Sequence, residues 1–487
     1  MPSNPILPPL TPALARAYDV ETFRRDGHAM VDALAHVLDE AQRRQAPSSY
    51  PGHLPQDERK HWENVLPSMQ SWQDVLTETT LRSNLLHDPR YMGHQVAVPF
   101  PMQAWVGAWT DLLNNGQAIF EMGPSNAALE EVLMNELGQR LGLPADCGGI
   151  LCHGGTLGNL VALLAAQQHL SQRRGEHWWS EGVAGAPPVA VLVSEQAHYC
   201  VDRAVRLLGW GQQAVVKVAT DENHRMLIHD LDRRAKECEA DGRILLAVVG
   251  SACTTSSGAF DPLDALGKWA SSQRVWFHVD GAHGAPAAFS AKHAHLIRGI
   301  QLADSVVMDF HKLCGLPALC TGVFYRSQEW SFLPFVQQAE YLWAAPEGHD
   351  WWDTGKRTFE CTKRMLSTRL AAVRAAYSWE LWGELVDRLW ALAQAFAGLV
   401  DDRPNWELAM QPQANIVCFR PADPHISVSE LRKAYLNGGS GYVVATQFRG
   451  KEWLRCTFMN PLTEMADLEQ LLNELERFVS SALKKEG

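Results

Sequence analysis

The sequence predicts an α/β protein: a large, mainly parallel sheet domain preceded by a helical arm and followed by a small α+β domain. Three observations carry this. Between residues 188 and 325, five short and almost wholly apolar runs alternate with helical patterns. Runs apolar on every residue fit strands covered on both faces, as parallel sheets require. Before them, residues 1–85 read as Pro-punctuated helices. After them, strands of alternating polarity lead into a final amphipathic helix.

The elements follow in order. In the arm, residues 23–45 form one amphipathic stretch. The large domain, residues 86–375, has predicted strands at 188–193, 244–249, 275–279, 305–308 and 322–325, with a helix over 262–271. The boundary falls near residues 369–384, in or after a long helix. In the last domain, residues 376–487, the stretches 415–419, 442–448 and 453–458 alternate as strands, and 467–483 is helical.

Composition narrows the function. A chain of 487 residues builds a large core and two or three domains. The net charge of -12, from 43 basic and 55 acidic side chains, argues against a nucleic-acid surface. No apolar stretch is long enough to cross a membrane, and the N-terminus lacks the pattern of a secretory signal. Ten cysteines without CxxC pairs fit reduced thiols, hence a cytoplasmic enzyme.

Four segments carry chemistry. The run Ala303 to Phe310 delivers Lys312 beside His311, and burial behind Val306, Val307 and Met308 is expected to lower the amine's pKa and make it a nucleophile. Upstream, 274–279 reads as a strand ending in Asp280, followed by the small Gly281 and Ala282. A carboxylate at such a strand end can hold a ring nitrogen, and Ala282 lets a flat ring approach the backbone. The turn Gly154-Gly155-Thr156 opens a helical pattern and forms an anion site, although neither GxGxxG nor GK[ST] is present. The run 191–194 leads to His198, placed to stack on a ring or move a proton. Each has a plainer reading: a solvated lysine, a capping aspartate, an ordinary turn, a surface histidine. Their coincidence in one chain is what favours chemistry.

The order and wording of these motifs resemble the group II pyridoxal phosphate-dependent amino acid decarboxylases, which include the glutamate, aromatic amino acid, cysteine sulfinate and diaminobutyrate enzymes. The resemblance runs from His87-Asp88-Pro89-Arg90-Tyr91-Met92-Gly93-His94 through the glycine turn, Ser194 to His198, Ala252-Cys253-Thr254-Thr255, Gly258 to Leu263, His278 to Gly284 and His311-Lys312. It continues into Pro412 to Arg420 and Trp453 to Pro461, so it covers most of the chain. It implies a fold type I pyridoxal phosphate enzyme and a homodimer wrapped by the N-terminal arm. By the same resemblance Lys312 bonds the cofactor, His311 lies beside its phosphate, and Gly155 and Thr156 bind that phosphate. His198 stacks on the ring, Asp280 pairs with the pyridine nitrogen, Thr254 lines the pocket, and Ala282 packs on the opposite ring face. Arg455 matches a family arginine able to grip a carboxylate, with a structural ion pair as its plainer role, and Tyr91 is a further substrate-side candidate.

The implied reaction is decarboxylation of an L-amino acid to its amine. An acidic amino acid or diaminobutyrate is the expected substrate, and the stretch Leu313 to Cys320 looks more like bacterial diaminobutyrate and glutamate-type members. Two departures from the family stand out. Asp309 occupies a position where asparagine is commoner, and a carboxylate beside a phosphate repels it unless turned away. Just before Asp353-Thr354-Gly355-Lys356, where the family has a loop tyrosine that protonates Cα, the residues are Glu347 to Trp352. His349 is the expected replacement, with Tyr341 and Tyr91 as further candidates. The rival outcome on the same site is decarboxylation with oxidative deamination, giving an aldehyde. A remote alternative, a metal hydrolase, would use His278, Asp280 and His283.

Overall fold

The computed structural model describes residues 9–335 and 350–486, with side chains through residue 480. Its centre is a seven-stranded sheet of β1 (Gly148–Cys152), β2 (Val189–Ser194), β3 (Val215–Val218), β4 (Ile244–Ser251), β5 (Trp276–Asp280), β6 (Ser305–Asp309) and β7 (Thr321–Tyr325), in the order β1-β7-β6-β5-β4-β2-β3. Only β7 runs against its neighbours, pairing antiparallel with both β1 and β6. All five predicted strands are present. β1 and β3 were not among the predicted strands, because β1 begins with two glycines and β3 has only four residues.

Alternation sorts each strand between two cores. Val191, Val193, Val249, Val307 and Val323 pack with the helix Gly155–Arg173 on one face. Leu192, Val248, Val306, Met308 and Phe324 face the other, against residues of the helices Pro124–Arg140 and Leu263–Gln273. β2, β6 and β7 are buried on every residue, which explains their unbroken apolar sequences.

A second, four-stranded antiparallel sheet is ordered β10-β11-β9-β8, from β8 (Trp406–Leu408), β9 (Ile416–Pro421), β10 (Val444–Phe448) and β11 (Lys451–Thr457). The long helix Glu380–Asp401 packs on β8 and β9, and the helix Met465–Glu486 follows β11. At the other end of the chain, the helix Val20–Gln42 starts from an Asp19 cap that accepts the Thr22 N–H at 2.7 Å. It buries only Ala41, leaving Val20, Phe23, Val31 and Leu34 exposed.

Candidate active site

Polar groups gather where β4, β5 and β6 end. Period-two alternation puts His278 and Asp280 on one face of β5, and Ser305, Val307 and Asp309 on one face of β6, both toward the helix Gly155–Arg173. His278 is fully buried between Ser305 Oγ, 2.8 Å from Nδ1, and Asn159 Oδ1, 2.9 Å from Nε2. Burial pushes its pKa down to about 4, so it is a neutral strut tying two strands to the helix. Two residues on, Asp280 emerges at the strand end. Its Oδ1 accepts the Ala282 N–H at 3.2 Å, and the Cys200 thiol lies 3.7 Å from Oδ2.

The short helix Phe310–Leu313 follows β6 and presents Lys312, whose side chain is 21% exposed. Its Nζ lies 2.9 Å from Asp309 Oδ2. Burial alone would lower the amine's pKa, as the sequence predicts, but Asp309 and then Asp280 outweigh it and hold Lys312 above the ordinary lysine value. The expectation of a lowered pKa is therefore corrected: the two carboxylates push the Lys312 amine up instead. The sequence pointed to burial but not to two carboxylates converging on one amine. His311 is fixed by the Cys320 carbonyl, 2.9 Å from Nδ1, with Nε2 3.7 Å from Asp309.

The glycine turn lies next to this pair. Gly154 adopts φ 104°, a left-handed conformation that favours glycine, and no side chain caps the helix Gly155–Arg173. The N–H groups of its first turn, including Gly155 and Thr156, thus remain for an anion. A Cβ on Gly155 would sit 2.8 and 2.9 Å from the two Asp309 carboxylate oxygens. Asp309 is not turned away: one oxygen takes Lys312, the other accepts the Thr321 hydroxyl at 2.6 Å, and the whole faces the turn.

The opposite wall comes from the helix Tyr199–Leu207 and the second sheet. His198 caps that helix, its Nδ1 accepting the Cys200 N–H at 3.3 Å, and burial lowers its pKa despite the nearby Asp280. With Glu195, Gln196, Thr255, Ser256, Gln447, Arg449 and Arg455 it lines a cavity of about 500 Å³. Arg455 is 7% exposed and donates from Nη1 to the Thr255 carbonyl at 2.7 Å; among the described residues its Nε has no partner. Among the described residues no ion pair holds it, and an ion pair is what its plainer, structural role requires.

Other expected residues fall elsewhere. Thr254 is buried and its hydroxyl is spent within its own turn, 2.8 Å from Ser257 Oγ, while Thr255 and Ser256 reach the cavity. Ala282 lies between the two aspartates, its carbonyl accepting the Asp309 N–H at 3.1 Å. Tyr91 stacks on Tyr442 at 5.1 Å in a small separate cluster, not on the cavity wall. His349 and Tyr341 lie outside the described residues. The metal-hydrolase alternative fails on geometry: Ser305 and Asn159 occupy His278, Asn415 holds His283 Nε2 at 2.7 Å, and no group among the described residues could hold a metal ion.

Sequence reading missed the supports behind the glycine turn. Glu130, buried mid-helix, takes Lys363 Nζ at 2.5 Å and the Leu151 N–H at 2.9 Å, while His153 Nδ1 lies 2.9 Å from Glu360. A lone acidic residue on the apolar face of the helix Pro124–Arg140 is the signal that would have found the first pair.

Together, a lysine beside the backbone N–H groups of an uncapped helix start, a strand-end carboxylate and a buried imidazole fit pyridoxal phosphate. Comparison with known proteins agrees. The pattern of the Pyridoxal-dependent decarboxylase conserved domain matches residues 55–422. Cysteine sulfinic acid decarboxylase of Homo sapiens is 30% identical over 388 residues, 76% of this chain and 77% of that protein. L-2,4-diaminobutyrate decarboxylase of Acinetobacter baumannii is 25% identical over 423 residues, 83% of each. The crystal structure of mouse CSAD superposes with a TM-score of 0.81 at 25% identity, covering 92% of this chain and 99% of that one.

Proposed function

We propose that this chain, which belongs to the pyridoxal-dependent decarboxylase family and is a pyridoxal phosphate-dependent amino acid decarboxylase, acts on a small acidic L-amino acid to give the amine and carbon dioxide. The observation that carries the substrate class is Arg455: a buried guanidinium facing the cavity, with no ion-pair partner among the described residues. A substrate carboxylate supplies the missing bidentate acceptor, and Arg449 adds a second positive charge to the same wall. Glu195 on that wall favours a second reading, a diaminobutyrate whose ammonium it would meet.

Bound, pyridoxal phosphate supplies the electron sink that stabilises negative charge on Cα when carbon dioxide leaves. Lys312 would anchor it; Gly155, Thr156 and His311 would hold the phosphate; Asp280 would keep the ring nitrogen protonated; His198 and Ala282 would fix the ring. The cavity removes water from the departing carboxylate and so raises its energy. His349 then delivers the proton to Cα, a role for which Tyr341 is the rival.

Failure of that proton transfer gives the oxidative outcome, in which the amino acid, dioxygen and water yield aldehyde, carbon dioxide, ammonia and hydrogen peroxide. Incubating cofactor-loaded enzyme with L-aspartate, L-glutamate, L-cysteine sulfinate, L-2,4-diaminobutyrate and aromatic amino acids, with mass-spectrometric detection of carbon dioxide, amine and aldehyde, tests the reading. Amine from an acidic substrate supports it. Turnover of diaminobutyrate alone shifts the assignment to Glu195, and aldehyde with peroxide replaces simple decarboxylation. His349→Ala and Tyr341→Phe separate the two donors by the aldehyde fraction each produces.

The same reading divides the chain into the arm 1–85, the cofactor domain 86–375 and the closing domain 376–487, in a cytoplasmic homodimer. No helix among the described residues is long and apolar enough to cross a membrane. Leu34 on the arm and Trp105 on the helix Met102–Leu113 line one apolar groove, and Phe23, Trp109 and Leu112 are exposed on the same two elements, apolar surface suited to a second copy. Sedimentation of the full chain at twice the monomer mass supports the dimer.

A further inference from the structure

Pyridoxal phosphate asks two things of the site, a Lys312 amine with a free lone pair and an anion cradle at Gly155 and Thr156. Asp309 engages both. One carboxylate oxygen lies 2.9 Å from Lys312 Nζ, and the other accepts the Thr321 hydroxyl at 2.6 Å. Both oxygens come so close to Gly155 that a Cβ there would meet them at 2.8 and 2.9 Å. Asp309 is 1% exposed, and Thr321 stands directly opposite it across the β6–β7 pair. A fixed negative charge therefore stands where a phosphate dianion is to arrive, and it neutralises the ammonium that must first lose a proton.

We propose that Asp309 is a latch on cofactor capture: paired with Lys312 and set against the Gly155 turn, it opposes entry of the phosphate and occupies the amine, making capture slow. The proposal rests on the reading of Lys312 as the covalent anchor and of the Gly155 turn as the phosphate cradle. Capture requires the ammonium to give one proton to solvent and its lone pair to attack the aldehyde carbon. The aldehyde oxygen leaves as water, and a proton returns to the nitrogen of the new carbon–nitrogen double bond. The step balances, while its rate follows the fraction of free amine. The other groups acting on Lys312 are Asp280 and Cys200, with His198, Cys253 and His283 also in its field; those around Asp309 are His311, Cys320, Cys152 and Cys314, with Cys200, His198 and His283 further off. Asp309→Asn leaves all of them in place and keeps the shape of the side chain.

The test uses full-length cofactor-free protein mixed rapidly with pyridoxal 5'-phosphate, following the visible absorbance of the lysine-bound cofactor, with inorganic phosphate as a separate probe of the cradle. Asp309→Asn is expected to speed capture about tenfold at neutral pH, to move the rate–pH profile to lower pH, and to tighten inorganic phosphate by about tenfold. Thr321→Val, which removes the hydroxyl that shares the charge on Asp309 and leaves the carboxylate to Lys312, is expected to slow capture about threefold. Unchanged or slower capture in Asp309→Asn, with unchanged phosphate affinity, overturns the latch. Borohydride reduction and peptide mapping of the wild type keep the two failures apart. Cofactor on another residue sinks the Lys312 reading itself. Cofactor on Lys312 without an Asp309→Asn effect sinks only the latch.

Discussion

Asp280 and Asp309 end neighbouring strands, face the same helix and both bear on Lys312, yet their surroundings differ. Asp280 takes one backbone N–H and a thiol, leaving capacity directed into the site. Asp309 is closed in by Thr321, Lys312 and the glycine turn. The lesson is that neighbours, not residue type, decide what a strand-end carboxylate has left to offer a ligand.

The largest effect comes from removing what the two aspartates share. Lys312→Ala should abolish the visible cofactor band and cut carbon dioxide release about 10³-fold or more. Asp280→Asn should leave the cofactor on Lys312 but lower kcat roughly 10²-fold, because the ring nitrogen loses its anionic partner; a loss equal to that of the Asp309→Asn enzyme would erase the distinction between them. Behind the glycine turn, Glu130→Gln strands the buried Lys363 and should cost about 3 kcal/mol of stability in denaturant unfolding, with a weakened phosphate site. The smallest effect concerns pH. Burial pushes His283 down to about 3, well below its unfolded value of 6.5, so its contribution to stability is present above pH 6.5 and is lost as the pH falls toward 3. Between pH 7 and 5 that loss is about 2 kcal/mol. His283→Gln, which can keep the Asn415 bond, should flatten this limb of the thermal-unfolding profile.

Much of this was legible in the sequence because buried parallel strands print themselves as unbroken apolar runs, and because each run stops at a residue that the sheet then exposes to chemistry. Lys312, Asp280 and His198 are candidates because they follow such runs, whereas Gly155 is read from its glycine turn, with β1 before it not predicted. The short β3 and β8 escaped, since three or four residues carry no reliable period. Thr254 and Thr255 could not be told apart, because a turn decides which hydroxyl points outward. The pairing of Asp309 with both Lys312 and Gly155 joins elements more than 150 residues apart in the chain, and only the fold brings them together.

The one reversed strand, β7, starts at the same end of the sheet where β6 stops. The backbone from Phe310 thus returns within a few residues: the Phe310 N–H donates to the Cys320 carbonyl, and Thr321 pairs with Asp309. Lys312 therefore sits on a loop closed by the β6–β7 pair and braced from outside by the Ala97 N–H on the His311 carbonyl, the Phe100 N–H on the Gly315 carbonyl and the Trp382 indole on the Cys314 carbonyl. Specificity can drift through the walls contributed by residues 195–199 and 446–455 while the lysine keeps its address, which makes this arrangement readily adapted to new amino acids.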